Sequence, residues 1–305
     1  MKEFNLKVSA AEAGLRVDQF IALFSKAKRL AFSRTRIQKA ICKGKIRFIN
    51  GALLKPNYKV KLDDEFIIQI EDEPKIELEP ESIELDVIYE DEDLALINKP
   101  AGLVVHPGAG NSKHTLVNAL LARLKKLSTI NPLRPGIVHR LDKETSGILV
   151  VAKNNDSHLE LSRQFAEHSI KRKYIAIVKG RVEFDEQVIE LPIGRHPIKR
   201  KNMAVSFTEG NKYAKTYYRT LKRTNNFSLL ELEPYTGRTH QLRVHLAFVG
   251  HPILGDEKYG KRNEFSRLAL HAKSLGFIHP RTKKFIEFSS DLPKEFTEFL
   301  EKNKA

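Results

Sequence analysis

Cysteine is almost absent from these 305 residues, with Cys42 standing alone. A disulfide framework is therefore excluded, as is a cysteine-rich metal site, and the composition fits a reducing compartment. Long apolar runs are missing too. No stretch approaches the roughly 18 residues of a membrane helix, and Met1-Lys-Glu-Phe-Asn5 lacks a signal peptide's apolar core. A soluble, cytoplasmic chain without a membrane partner is expected. Several common catalytic signatures are also lacking. There is no Gly-x-Ser-x-Gly elbow, and His106-Pro-Gly-Ala-Gly-Asn111 is glycine-rich without phosphate-loop spacing. His240 and His245 would sit about 140° apart on a helix, with no Cys or carboxylate to complete a ligand set, which argues against a metal.

Positive charge, by contrast, is plentiful: 53 Lys and Arg oppose 38 Asp and Glu, for a net +15. Its placement is more informative than its sum. Residues 1–70 carry net +9, residues 71–93 net −11 and residues 94–305 net +17. Two basic bodies flank an acidic connector, which points to a polyanionic partner met on both sides of a segment that phosphates avoid.

The first body reads as a small α+β unit over 14–70. Val17, Phe20, Ile21 and Phe24 mark one helix; Ser33 as N-cap, Ile37 and Ile41 one turn apart, and Gly44 past the end mark a second. Arg36, Lys39 and Lys43 on that second helix stack on one face, either as a solvated basic stripe or as a phosphate-binding one. Ile46-Arg-Phe-Ile49, the Asn50-Gly51 turn and Phe66–Ile70 supply a backing sheet. The connector, with Pro74 and Pro80 among its acids, reads as an extended tether ending near Leu85. Beyond it, strand patterns at 94–97, 148–152, 174–178 and 227–232 alternate with helical patterns near 115–126, 157–168 and 239–249. That mixture indicates one large α+β domain on a mostly antiparallel sheet.

Within this second body, His139-Arg-Leu-Asp-Lys-Glu-Thr-Ser-Gly147 sets Asp142 among cations, between two apolar runs. A turn between buried strands needs no flanking Arg140 and Lys143, so Asp142 is a candidate nucleophile, base or ligand for something positive; a solvated Asp turn is the plainer alternative. Tyr174 begins a strand pattern and can present its ring to a planar ligand or cap the core. In Tyr235-Thr-Gly-Arg-Thr-His-Gln-Leu-Arg243, Thr239 is the expected N-cap, which sets Arg238 just ahead of a helix N-terminus. There a guanidinium can fork onto an anion or simply pair with a buried carboxylate. Arg195-His-Pro-Ile-Lys-Arg-Lys-Asn202 is a cationic loop suited to an RNA backbone or to solvent.

These segments resemble known families. Ser33-Arg-x-Arg36, Lys43-Gly-x-Ile46, Asn50-Gly51 and Lys55-Pro56 resemble the S4 RNA-binding module. His139–Gly147, the Lys173-Tyr174 segment with its Ala176-x-Val178-x-Gly180 continuation, and Gly237–Arg243 are similar to the RluA family of RNA pseudouridine synthases, from about Ile88 to Asp291. Asn98-Lys-Pro100 and Leu268–His271 are similar to it as well. Val104–Asn111 and Arg195–Arg200 resemble its RluD branch, which modifies uridines of large-subunit ribosomal RNA. Ile148, where many members carry Leu, is a small departure.

The resemblance implies a two-part α+β architecture: an S4-like domain at 1–70, an acidic linker at 71–87, and a catalytic domain at 88–305 built on a mixed, mostly antiparallel sheet flanked by helices. It implies Asp142 as the nucleophile that isomerises uridine, Arg238 pairing with it, and Tyr174 stacking on the base and relaying a proton. Arg140 would fill the gap left by the flipped base, and Leu270 would wall its pocket. Arg34, Arg36, Lys39, Lys43, Arg195, Lys199, Arg200 and Lys201 are the expected RNA contacts. The partner would be ribosomal RNA or a large-subunit precursor. An isomerisation has no redox change, so no cofactor or metal is expected, and the chain is expected to be monomeric. A non-catalytic RNA-binding or ribosome-assembly protein would explain the charge but not the Asp142, Tyr174 and Arg238 set. A metal-dependent nuclease or phosphatase would need more carboxylates than this set offers.

Overall fold

Two compact units divide the chain, Met1–Ile76 and Glu77–Ala305. The structure is a computed structural model whose description covers residues 2–28, 32, 34–70, 78–108, 111, 113–200, 202–261 and 265–303. In the first unit, β1 (Lys2–Lys7), α1 (Val17–Ala27), α2 (Arg34–Cys42), β2 (Ile46–Phe48) and β3 (Glu65–Ile70) build an antiparallel sheet of order β1-β3-β2 and two helices. The β1 strand is an addition to the expected elements. Val17, Phe20, Ile21, Ile37 and Ile41 close over Ile46, Phe66 and Ile68, so the helical spacing of the apolar residues does form the core face. Gly44 ends α2 with φ +69°, while the expected cap Ser33 lies outside the described residues.

Asp18 is the polar keystone of this unit. Its buried carboxylate accepts from Arg16 at 3.1 Å, Arg34 at 2.9 Å and Gln38 at 2.5 Å. Burial alone would raise its pKa, but these donors outweigh it and hold the group down to about 2. Arg34, expected to contact RNA, is thus committed in part to tying α2 to α1.

The second unit carries a nine-stranded sheet. Its strands are β4 (Asp86–Glu90), β5 (Leu94–Lys99), β6 (Ser146–Ala152), β7 (Lys171–Lys179), β8 (Glu186–Glu190), β11 (Lys215–Arg223), β12 (Phe227–Pro234), β13 (Leu270–Ile278) and β14 (Phe285–Ser289). They run in the order β4-β5-β6-β13-β7-β12-β11-β8, with β14 beside β13. Among the described residues only β6 and β13 of this sheet pair in parallel, so the expected mixed, mostly antiparallel sheet is found. A separate hairpin joins β9 (Ile193–Arg195) to β10 (Met203–Val205), and α3 (Leu116–Arg123), α4 (Asn155–Ala166), α5 (Gln241–Phe248) and α6 (Lys294–Lys302) complete the unit. The tether is shorter than read from composition. Glu79 and Glu81 exchange bonds with Asn118 of α3 at 2.8 and 3.0 Å, and β4 begins at Asp86, so residues from Glu79 onward belong to the folded unit.

The β6 strand is wholly buried because both of its faces meet a core: Leu149 and Val151 pack one way, Ile148, Val150 and Ala152 the other. It approaches β13 so closely at Gly147, whose φ is +110°, that a Cβ there would lie 2.2 Å from the Ala272 carbonyl oxygen. The Thr-Ser-Gly end of the Asp142 segment is therefore a packing requirement that places the loop before β6 against the first residues of β13.

Asp18 gives the fold a testable pH signature. A carboxylate held down to about 2 from 3.8 stabilises the unit by about 2 kcal/mol above pH 4, and that contribution disappears as pH falls through 2. Asp18→Asn should cost about that much at pH 7 and progressively less between pH 4 and pH 2, read by hydrogen exchange of α1 and α2 amides in the intact chain.

Candidate active site

Asp142 sits in the loop that enters β6, and the loop is held by buried main-chain bonds. Lys99, fully buried at the end of β5, donates to the carbonyls of Pro100 (2.7 Å), Leu103 (3.0 Å) and Lys143 (3.1 Å), the last next to Asp142 in sequence. Burial drives Lys99 down to about 7, against the opposing fields of Glu144 and Asp142. The Gly102 amide also donates to Lys143 O at 2.9 Å, and the Thr145 amide to Asp142 O at 3.1 Å. His139 of the same motif is structural: its ring stacks on Phe165 with centroids 4.4 Å apart and accepts from the Val150 amide at 3.0 Å. Burial, helped by the nearby Arg172 charge, lowers it to about 3, so it is neutral at physiological pH.

Asp142 looks into a cavity of about 140 Å³ lined by Arg140, Arg172, Tyr174, Arg238, His240, Arg243 and Leu270, among others. Two strands, a helix and the Asp142 loop meet here, since Tyr174 is on β7, Leu270 opens β13 and Arg243 is on α5. Burial raises the Tyr174 pKa, and Asp142 adds to the effect while Arg172 opposes it, so the ring presents a neutral phenol. Leu270 is buried and apolar, and Arg140 is exposed at the rim.

The guanidinium that meets Asp142 is Arg243, not Arg238. Arg243 Nη1 donates to Asp142 Oδ2 at 3.3 Å, while its Nε and Nη2 fork onto the buried Asp256 carboxylate at 2.8 Å each. Asp256 would be raised by burial, but the Arg243 fork and the Lys258 and Tyr259 amides keep it below the usual carboxylate range. Arg243 also lies 5.2 Å over the Tyr259 ring, whose hydroxyl meets His240 Nδ1 at 2.8 Å. His240 Nε2 is 3.8 Å from Asp142, and burial lowers this ring to about 4 despite that carboxylate, leaving it neutral above that pH.

Arg238 lines the same cavity, but its Nε donates to the Tyr213 carbonyl at 3.0 Å. The displacement has a local cause. Thr239 is not the N-cap: His240 takes that position in a left-handed conformation with φ 56°, and Gln241 Oε1 accepts from the Arg238 amide instead. Starting α5 at Gln241 sets Arg243 in its first turn, facing the Asp142 loop. The signal that could have found it lies outside the motif, in an acidic partner thirteen residues further on.

Among the expected RNA contacts, Arg195, Lys199 and Arg200 are exposed on the β9–β10 hairpin, and Lys39 and Lys43 are exposed along and just past α2. Arg36 is half-buried with its guanidinium 5.0 Å over Phe32, and Lys201 lies outside the described residues. Asp91, Asp93 and His279 are near enough together to share a cation, but His279 pairs with Asp91 at 2.8 Å and Arg281 with Asp93 at 2.6 Å. The His279 ring and the Arg281 guanidinium already occupy those carboxylates.

Residues 93–248 match the family described as RNA pseudouridylate synthase. The chain belongs to that family. It is 40% identical over 304 residues to an uncharacterized RNA pseudouridine synthase of Bacillus subtilis, covering 99% of this chain and 98% of that one. It is 44% identical to the ribosomal large subunit pseudouridine synthase D of Zymomonas mobilis, covering 92% of each. The solved structure of human RNA pseudouridylate synthase domain containing 1 superposes with a TM-score of 0.59 at 27% identity, over 70% of this chain and 85% of that one. This synthase therefore carries its family's fold in the unit that holds Asp142.

Arg243→Lys keeps the charge but cannot fork onto Asp256 while reaching Asp142, so turnover on RNA should fall about tenfold or more. Arg238→Gln should stay within about threefold in the same single-turnover assay. A larger loss for Arg238→Gln than for Arg243→Lys would return the pairing role to Arg238.

Proposed function

We propose that this synthase isomerises specific uridines of large-subunit ribosomal RNA, with Asp142 as the nucleophile. The observation that carries this reading is the convergence of Asp142, Arg243, Tyr174 and Leu270 on one cavity, at the meeting of β6, β13 and β7. A carboxylate fixed by a buried guanidinium is aimed without being consumed by that partner, because Asp256 takes the stronger, forked half of Arg243. Leu270 and the neutral Tyr174 ring offer an apolar slot for a planar base. Arg140, exposed at the mouth, is placed to enter the space a flipped uridine leaves in single-stranded or looped RNA.

In the isomerisation the N1–C1′ bond of uridine breaks, the base turns, and C5 bonds to C1′. The C5 proton leaves and N1 takes one up, so atoms balance with no redox change. Tyr174, kept as a phenol, is the group placed to relay a proton. His240, neutral at physiological pH, leaves Arg243 as the charged partner of Asp142. The first unit supplies cytoplasmic RNA docking: Lys39 and Lys43 expose charge from α2, and the β9–β10 hairpin adds Arg195, Lys199 and Arg200 from the second unit.

Asp142→Asn should abolish pseudouridine formation while leaving RNA affinity within a few-fold. Residual turnover by the purified variant would refute the nucleophile assignment. Lys39→Gln combined with Lys43→Gln should weaken binding to structured ribosomal RNA and lower the slope of log affinity against log salt by about two, with kcat at saturating RNA unchanged. An unaltered slope would remove α2 from the RNA interface.

A further inference from the structure

Arg172 is a buried-side cation of the cavity only partly committed to protein acceptors. It precedes Tyr174 by two on β7, so both side chains stand on the face of the strand that lines the Asp142 cavity. One donor, on Nη2, reaches the Pro234 carbonyl at 2.9 Å. Its Nε is buried and has no hydrogen-bond partner, and no carboxylate lies within 4.0 Å of the guanidinium among the described residues. On the Nη1 side lies Gly237, where an added Cβ would stand 3.3 Å away; the glycine keeps that side open. The other arginines of the cavity differ. Arg243 is shared between two carboxylates and Arg238 Nε is spent on Tyr213 O, while Arg140 is exposed at the rim. A half-buried guanidinium with donors to spare is costly unless an acceptor arrives with the ligand.

We propose that Arg172 donates to a carbonyl oxygen of the flipped uracil, which orients the ring against Tyr174 and stabilises it once it is detached. The proposal rests on the uridine-isomerising reading of this cavity and assigns a base contact within it. The ligand is placed by its neighbours. Leu270 and Tyr174 mark the region that holds the base, whereas a passing phosphate belongs at the rim beside Arg140. When the N1–C1′ bond breaks, its electron pair stays with the base and spreads onto O2 and O4. A guanidinium bond to an oxygen gaining negative charge strengthens, so the contact acts mainly on kcat.

The test pairs full-length Arg172 variants with altered target atoms. Wild type, Arg172→Met and Arg172→Lys are assayed in single turnover on an RNA stem-loop whose target is uridine, 2-thiouridine or 4-thiouridine, sulfur being the poorer acceptor. Arg172→Met should lower kcat on uridine about a hundredfold with RNA affinity within threefold, and Arg172→Lys should fall between. Wild type should slow about tenfold on one of the two thio-substrates, and Arg172→Met should treat that substrate and uridine alike. Where Arg172→Met does not fold, by melting temperature, the same comparison is made with Arg172→Lys. Independent, multiplying losses on both thio-substrates would overturn the proposal. So would a loss confined to affinity with the salt slope reduced by about one, the mark of a phosphate contact. A wild-type enzyme that makes no pseudouridine would instead bring down the functional reading beneath it.

Discussion

The forked bond from Arg243 to Asp256 is the constraint on which the site depends. Two carboxylates share one guanidinium, and they do so unequally: Asp256 is buried, takes two bonds of 2.8 Å and is further held by two amides, whereas Asp142 keeps one contact at 3.3 Å and stays partly open to the cavity. Asp256 absorbs the cost of desolvating the arginine, and Asp142 receives a fixed positive neighbour. As the sole partner, Asp142 would be free to form the tight bidentate pair that Asp256 takes instead.

Around that pair the fold supplies rigidity from the main chain. Lys99 is a buried amine that among the described residues pairs with no carboxylate and instead gathers three carbonyls, one of them adjacent to Asp142. Gly147 permits the parallel contact between β6 and β13, and thereby brings the Asp142 loop beside Leu270. Together these two residues determine where the Asp142 carboxylate can be.

The two units use charge differently. In the first, Asp18 gathers Arg16, Arg34 and Gln38 into a buried network joining α1 to α2, so part of the basic composition is internal scaffolding. In the second, Arg281 pairs with the buried Asp93 in the same manner. Net charge alone cannot separate such spent cations from those on α2 and the β9–β10 hairpin that remain exposed.

Much of this protein was legible in its residues. The apolar spacing of Val17, Phe20 and Ile21, the unbroken run Ile148–Ala152, and the motif around Asp142 each specify a local environment that periodicity and side-chain chemistry reveal. Tyr174 and Leu270 both line the cavity that Asp142 faces. The partner of Asp142 was not legible in this way. Arg238 and Arg243 stand in one motif, each a guanidinium near a helix start, and nothing in their order says which faces the carboxylate. That was decided by a left-handed residue at His240, which delays α5, and by Asp256, which draws Arg243 inward. Local sequence determines which groups are present and which faces are apolar; the pairing of buried charges depends on distances that exist only once the helix, the loop and the sheet have packed together.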